Sequence, residues 1–329
     1  MPAYNAEATV TEALTALRAT LGHRDELILF DDGSTDATAA LAARAGALVL
    51  RNEGAPLGPG HGRNMAAARA RGELLFFVDS DVIVAPDSLD RLIHAIVSEG
   101  GDAAFGSYDD KPRSGRAASL YMNLRHHFVH QQGSQDATTF WAGIGLVRRS
   151  IFATMKGFDQ RRFATSSIED VELGMRLNEA GYRIRLVPEA QGTHLKDWKV
   201  GQVWRTDIFR RAVPWSRLIA EKKTVGADLN VAPRERTRAA LALTLLSALL
   251  LAAIWPMVAV AVPVLATGYI LGNREFFGFL AHRLPPLKLM TAVALHWLYH
   301  VYASITLVIV TVQGRLALPS DAVPNRPAR

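Results

Sequence analysis

The sequence contains no cysteine, so a disulfide framework and a thiolate metal site are both excluded. The N-terminus has no basic region followed by an apolar stretch, so no signal peptide is expected and the C-terminal end would direct membrane insertion. Basic and aromatic residues are not interleaved as in nucleic-acid-binding surfaces, and the net charge is only +6 over 329 residues. Nucleic acid is therefore not an expected partner.

Charged residues are also missing from long stretches of the last third of the chain. Ala239–Asn273 carries none over 35 positions, and one helix of that length would extend about 52 Å, beyond a bilayer core of about 30 Å. Two spans that turn near Trp255-Pro256 fit better, although a tilted helix broken at Pro256 or Pro263 is an alternative. We predict an all-α membrane region, residues 226–329, with three transmembrane helices at about 239–255, 257–273 and 289–312.

The alternative to membrane spans is a set of buried core helices in a soluble protein, which runs this long without charge disfavour. His296 and His300 lie four residues apart in the third run, and we expect them to pack between spans or to contact a lipid phosphate. Trp and Arg residues between Lys196 and Arg238 are typical of a segment at the lipid headgroups. Basic residues before the first and third spans favour a multi-pass protein of the cytoplasmic (inner) membrane whose soluble domain is cytoplasmic.

The first two thirds of the chain alternate between strand and helix patterns. Glu26–Phe30 and Glu73–Val78 are short apolar runs typical of strands buried on both faces, and Ala47–Leu50 is a weaker candidate. Helical patterns lie between and after these runs. This alternation predicts an α/β domain, residues 1–225, with a mostly parallel sheet and a ligand site at the carboxyl ends of the strands.

Acidic residues follow both apolar strands directly. Asp79-Ser80-Asp81 places two carboxylates where they can share one side and bind Mg²⁺ or Mn²⁺ together with diphosphate oxygens, although such triplets also occur in ordinary turns. Asp31-Asp32 opens the segment DDGSTD, in which a turn and a helix cap explain Ser34 to Asp36 but not the double Asp. The two motifs predict a site for a polar ligand.

A third acidic motif, Ser167-Ile168-Glu169-Asp170, stands at a predicted helix start. The structural alternative is a capping box, in which Ser167 caps the helix and the acids favour its N-terminus. Capping and catalysis are compatible. Asp170 held at that end could accept a proton from an acceptor hydroxyl.

The ordered set of motifs closely resembles family 2 glycosyltransferases of the GT-A fold, over roughly residues 2–215. PAYN, FDDGSTD, GRNMAAARARGELLFFVDSD, AGIGLVRRSIF…GFD and IEDVELGMRLNEAGYRI occur in that order. The resemblance implies roles for individual residues: Asp170 and Glu169 as catalytic residues; Ala3, Tyr4, Glu7, Asp31, Asp32, Arg63 and Asp79 in donor binding; Asp81, Asp79 and His194 at the metal.

The chain departs from the family pattern at two places. It begins inside PAYN, whereas the family has a complete strand before this motif. Either the start is misassigned and lies upstream, or a central strand is truncated, which would expose the core and weaken the base pocket. Processive synthases of the family carry Q-x-x-R-W, whereas Gln202-Val203-Trp204-Arg205 is followed by Thr206. The resemblance therefore implies transfer of a single sugar.

The expected function is that of a metal-dependent, hexosyltransferase-like, inverting enzyme anchored in the membrane. Its donor would be a nucleotide-sugar, UDP-linked by preference, and its acceptor a lipid-linked or cell-envelope glycan. One alternative is a polyprenyl-phosphate glycosyltransferase, whose acceptor is already ionised. Another is a non-catalytic membrane scaffold that retains the fold.

Overall fold

The computed structural model describes residues 1–222 and 233–316. The N-terminal part is an α/β domain, and the C-terminal part is helical. The predicted boundary between residues 225 and 226 lies outside the described residues.

The N-terminal sheet is small and entirely parallel. It has the order β1-β2-β3, formed by Pro2–Ala3, Ile28–Asp31 and Leu48–Arg51. Helices α1 (Val10–Thr20) and α2 (Thr38–Arg44) connect these strands. Because parallel strands need a helical crossover, the predicted alternation produces this sheet directly.

The start of the chain does not leave the core exposed as expected. Met1 and Ala3 are both buried, and the amino group of Met1 donates a hydrogen bond to the carbonyl of Ile28 at 2.9 Å. The two-residue strand β1 pairs in register with β2. The base-pocket residues of PAYN therefore rest on a closed core.

The second sheet is mixed, which corrects the expectation that the sheet is mostly parallel throughout. Its path runs β4-β8-β6-β9-β5, and β7 pairs with β9 outside that path. Only the β6–β9 pair is parallel. The strands are Leu74–Val78 (β4), Val82–Val84 (β5), Ala103–Tyr108 (β6), Asp136–Ala137 (β7), Ile144–Arg148 (β8) and Ile184–His194 (β9).

Strand β9 is longer than the sequence indicates. The alternating segment Tyr182–Val187 predicts a strand that ends at Pro188, yet the strand continues through this proline to His194. The register between β6 and β9 shifts between Phe105 and Ser107, so the ladder is interrupted beside the proline. Proline is tolerated at such an irregularity because no amide donor is needed there. The extension brings His194 opposite Val82, next to Asp81.

Helices of the α/β domain surround the second sheet. They are α3 (Pro59–Arg69), α4 (Ser88–Val97), α5 (Ala117–Gln131), α6 (Arg149–Thr154) and α7 (Glu169–Glu179). Helix α7 lies unusually close to the preceding chain, because a Cβ placed on Gly174 would come within 2.1 Å of the Phe140 backbone nitrogen. A glycine at this position lets the helix approach, and so fixes where its first residues point.

The C-terminal helices pack against one another and against α5. They are α8 (Val200–Arg205), a π-helix (Thr206–Ala212), α9 (Val213–Lys222), α10 (Pro233–Ala252), a 3₁₀ turn (Pro256–Val260), α11 (Ala261–Gly272), α12 (Arg274–Ala281) and α13 (Pro286–Leu316). A single apolar cluster contains Tyr121 and Leu124 of α5 together with Phe276, Leu280 and Leu295. The helical region is therefore joined to the α/β domain by a shared core.

The three predicted spans correspond to helices, but they differ in length and polarity. Among the described residues, α13 is the one helix long and apolar enough to cross a membrane, over Pro286–Gln313. The pair Pro256–Gly272 and Arg274–Ala281, bent by 75°, would count as a second span if it is one broken unit. Helix α10 opens with charged residues up to Arg238, and its uncharged remainder is only about 21 Å long. Multi-pass insertion remains a prediction.

The histidines of the third run form hydrogen bonds between helices. His296 lies within hydrogen-bonding distance of Tyr121 (3.2 Å) and Asn273 (3.1 Å), and His300 of Tyr269 (2.8 Å) and Glu235 (3.2 Å). Packing between helices, one of the two roles expected from the sequence, is therefore the one observed.

Candidate active site

The two aspartates of the DSD motif occupy the turn between β4 and β5. The Asp79 amide donates to the Gly143 carbonyl at 3.3 Å, and the Val82 amide donates to the Asp79 carbonyl at 3.2 Å. Both carboxylates are partly accessible, with side chains 30% and 28% exposed for Asp79 and Asp81. The end of β4 thus presents two partly exposed carboxylates in one turn.

His194 faces Asp81 from the end of β9. The imidazole Nε2 lies 3.5 Å from the Asp81 Oδ2, and the ring stacks on Tyr108 at 4.3 Å with a 9° interplanar angle. Burial acts to raise the pKa of Asp81, but the hydrogen bond with His194 and the nearby Lys196 outweigh it and lower that pKa. The pair is therefore a fixed, ionised carboxylate beside a fixed imidazole.

This pair fits a divalent cation that it would share with a diphosphate. Carboxylate oxygen and imidazole nitrogen suit Mn²⁺, and atoms 3.5 Å apart can bind one ion at about 2.1 Å each. Among residues 1–222 and 233–316, no three His, Asp or Glu side chains form a complete metal-binding group. Asp79, the third predicted ligand, points instead toward a buried arginine.

Arg63 joins the Asp79-Ser80-Asp81 motif to the Glu169-Asp170 motif. Its Nη2 lies 2.6 Å from the Asp79 Oδ1 and its Nη1 lies 3.0 Å from the Glu169 Oε1. The guanidinium is 5% exposed, and its Nε has no hydrogen-bond partner among the described residues. Burial alone would lower the pKa of Arg63, but the neighbouring carboxylates raise it, so the side chain stays protonated.

Helix α7 carries Glu169 and Asp170 in its first turn. The capping-box alternative does not apply, because the N-cap is Ile168 and the Ser167 hydroxyl donates to the Arg210 carbonyl at 2.9 Å. Asp170 Oδ2 accepts from the Ala142 amide at 3.1 Å and Oδ1 from the Val171 amide at 2.8 Å. Burial, together with the charge of Glu169, raises the pKa of Asp170 to about 6. A carboxylate with that pKa is suited to act as a base near neutral pH.

An aromatic cluster that the sequence did not reveal lies between these carboxylates. Trp141 contacts Tyr108 edge-on at 4.8 Å and His126 at 4.5 Å, next to the Ala142 amide that holds Asp170. Its indole also occupies the space beside Gly143, where a Cβ would come within 2.2 Å of the ring. Burial lowers the pKa of His130, a neighbour in the cluster, to about 4. The cluster is thus neutral and rigid, and the segment FWAGIG is its only local sequence signal.

The predicted donor-binding residues at the start of the chain lie beside the DDGSTD loop. Tyr4 is half exposed, whereas Ala3 is buried. The Glu7 carboxylate accepts from the Ala37 amide at 3.2 Å, which ties β1 to the DDGSTD loop. Contact between these residues and a nucleoside remains a prediction.

The paired aspartates of DDGSTD have different environments. Asp31 is fully buried, accepts from the Ser34 amide at 3.1 Å and lies 3.4 Å from the Arg51 Nε. Asp32 accepts from the amides of Leu57 (3.0 and 2.9 Å) and Gly58 (2.7 Å), just before α3. Asp32 therefore holds the loop that leads to Arg63, a structural task that the sequence did not reveal.

We expect Arg63→Gln to destabilise the domain by about 3 kcal/mol, because Glu169 would be left buried and without its cationic partner. Loss of the Arg63–Asp79 pair should add little to this destabilisation, because the Asp79 side chain is partly exposed. The matched control is Arg183→Gln, which breaks a surface pair with Asp136 and should cost less than about 1 kcal/mol. Chemical unfolding of the purified variants measures both. Equal losses would show that Arg63 does not compensate a buried charge.

Comparison with known proteins agrees with this geometry. The family model described as "Glycosyl transferase family 2" matches residues 1–155. Among curated proteins, the chain is 34% identical over 223 residues to the succinoglycan biosynthesis protein ExoO of Rhizobium meliloti, covering 62% of each protein. It is 24% identical over 230 residues to the O-antigen chain rhamnosyltransferase RfbN of Salmonella typhimurium, covering 65% of this chain and 72% of that protein.

Two solved structures share the fold over nearly the whole chain. The mannosyltransferase PcManGT from Pyrobaculum calidifontis, in complex with GDP-Man and Mn²⁺, has a TM-score of 0.55 at 17% identity, covering 96% of this chain and 85% of that one. Residues 1–349 of S. aureus TarS, in complex with UDP-GlcNAc, give 0.52 at 17% identity, covering 96% and 90%. Residues 1–155 are thus similar to glycosyl transferase family 2, and the chain shares the fold of these two structures, with an α/β domain followed by a helical C-terminal region.

Proposed function

We propose that the protein is a membrane-anchored, inverting glycosyltransferase that moves one sugar from a nucleotide-sugar to a lipid-linked or cell-envelope acceptor. The observation that carries this proposal is the geometry around Arg63, which joins the metal-side Asp79 to the Glu169-Asp170 pair. The residues that act on the leaving group and those that act on the acceptor would then lie in one site. The curated relatives named above take part in succinoglycan and O-antigen biosynthesis, which supports an envelope acceptor.

The metal proposed for the reaction is Mn²⁺ or Mg²⁺. Asp81 and His194 would hold it, with Asp79 turning from Arg63, and it would neutralise charge on the departing nucleoside diphosphate. A Mn²⁺ ion accompanies the donor in the PcManGT complex, which supports a divalent ion here. Arg63 lies close enough to Asp79 to add a fixed positive charge on the same side.

Asp170 is the proposed base. Two backbone amides orient its carboxylate, so it can accept the proton of an acceptor hydroxyl without reorganising. One base and one displacement step imply inversion at the anomeric carbon. A product that retains the donor's anomeric configuration would contradict this mechanism.

We expect detergent-purified protein to bind UDP in the presence of Mn²⁺ and to bind it at least about tenfold more weakly without the ion, because Asp81 would help to hold an ion that neutralises the diphosphate charge. Asp81→Ala should abolish the metal-dependent part. Isothermal titration with UDP and GDP, each with and without Mn²⁺, measures this and narrows the donor base. The surface variant Asp87→Ala is the control. No binding by folded wild type would favour the non-catalytic scaffold.

We expect the turnover number to rise with pH up to about 6 and to level off above it. The folded pKa of Asp170 is raised to about 6, so below that pH the base is protonated and inactive, and each unit of acidification costs about tenfold. Asp170→Asn should lower the turnover number at least about 100-fold, and the fall in turnover at acidic pH should disappear. Unimpaired turnover of Asp170→Asn would instead indicate the second candidate, an already ionised polyprenyl phosphate acceptor.

The membrane arrangement is proposed from exposed apolar surface. In the most apolar 18-residue stretch of α13, 22% of the residues are buried. Apolar side chains in the turn between α10 and α11 are also exposed, and Met257 is 89% exposed. We propose three spans with the catalytic domain on the cytoplasmic face of the inner membrane. Membrane lipids would then be partners of these helices.

Because the chain has no cysteine, single introduced cysteines test the topology. We expect Met257→Cys to react with an impermeant maleimide in intact spheroplasts, because three spans place this turn outside. Ser98→Cys, on the catalytic domain, should react only after permeabilisation. Protection of Met257→Cys until permeabilisation would show that α10 and α11 do not cross the bilayer.

A further inference from the structure

A buried carboxylate outside the catalytic centre joins three helical elements. Asp207 lies in the π-helix and is only 2% exposed. Its Oδ2 accepts from the Tyr302 hydroxyl at 2.7 Å and its Oδ1 from the Arg211 Nη1 at 2.9 Å, while the Arg125 Nη1 lies 3.5 Å from Oδ2. A buried carboxylate is costly unless it is partnered in this way. The π-helix, α5 and α13 are therefore held in one arrangement.

Helix α13 contacts this carboxylate cluster through two tyrosines about one turn apart. Tyr302 donates to Asp207, and Tyr299 lies under the Arg125 guanidinium, 3.4 Å from the ring centroid. Both contacts are made by the helix that is long and apolar enough to cross a membrane. The position of the π-helix is thus tied to the position of α13.

The other side of the π-helix reaches the catalytic carboxylates. The Arg210 carbonyl accepts from the Ser167 hydroxyl at 2.9 Å, and the Ser167 amide donates to the Glu169 Oε2 at 2.9 Å. Asp170 is the next residue. π-Helical turns within longer helices occur frequently at functional sites, where they re-aim backbone groups. Here the re-aimed segment supports the turn that begins α7.

We propose that Asp207 is a positioning residue that couples α13 to the placement of Glu169 and Asp170. The contacts run from Tyr302 to Asp207, from Arg210 of the same π-helix to Ser167, and from Ser167 to the first turn of α7. The proposal rests on the proposed function in one respect, the role of Asp170 as base. It makes the membrane helix a determinant of catalytic geometry as well as an anchor.

The test removes single hydroxyls at the two ends of this contact route. In Tyr302→Phe and Ser167→Ala we expect the turnover number to fall about tenfold, with the donor KM within about twofold, because a small misplacement of the base impairs the reaction step. The turnover number of the double variant should be no lower than that of the less active single variant, since both hydroxyls belong to the same series of contacts. Ser167→Thr, which keeps a hydroxyl, should recover most of the activity.

Hydrogen exchange provides the deciding measurement. Amides of residues 163–172 should exchange faster in Tyr302→Phe than in wild type, although residue 302 is distant in sequence. The matched control is Ser304→Ala, which removes an α13 hydroxyl bonded only to the His300 carbonyl of its own helix, and it should change neither exchange nor turnover. Unchanged exchange at 163–172 in Tyr302→Phe would overturn the proposal, whatever happens to turnover. If wild type shows no turnover, the proposed function fails, and the exchange measurement still decides the coupling.

Discussion

The arrangement of the acidic motifs depends on one buried cation, the Arg63 guanidinium. Arg63 lies between Asp79 at the end of β4 and Glu169 at the start of α7, so it neutralises two carboxylates that would otherwise repel each other across the site. The segment that delivers it, before α3, is itself held by Asp32 through the amides of Leu57 and Gly58. The first parallel sheet, the mixed sheet and α7 therefore meet at a single guanidinium. Such an arrangement favours a closed, preorganised electrostatic centre over a flexible one.

Glycines and backbone groups also fix the positions of Asp79 and Asp170. Gly174 lets α7 lie against the chain at Phe140, and two residues further on the Ala142 amide holds Asp170. Gly143 leaves room for the Trp141 indole and offers its carbonyl to the Asp79 amide. The segment between Thr138 and Ile144 thus contacts both Asp79 and Asp170.

The sequence predicted the parts of this protein that depend on local chemistry. Apolar runs followed by aspartates identified β2 and β4, and the ordered motifs indicated the family whose model matches residues 1–155. Contacts between distant residues were out of reach. Local pattern indicated neither that β9 continues past Pro188 nor that Arg63 pairs with Glu169, 106 positions away, because both follow from tertiary packing. Because Ala239–Asn273 carries no charge, the sequence also did not show where α10 ends, and so how short its apolar part is.

Asp207 has a consequence for sequence variation. One carboxylate satisfies donors from α5, its own π-helix and α13, and its partners Arg125 and Tyr302 lie 82 and 95 positions away along the chain. Replacing any one of the three removes a partner from a buried charge or donor. Substitution at these positions should therefore be concerted across lineages. Covariation among positions 125, 207 and 302 would mark the relatives in which the terminal helix and the catalytic domain evolve as a single unit.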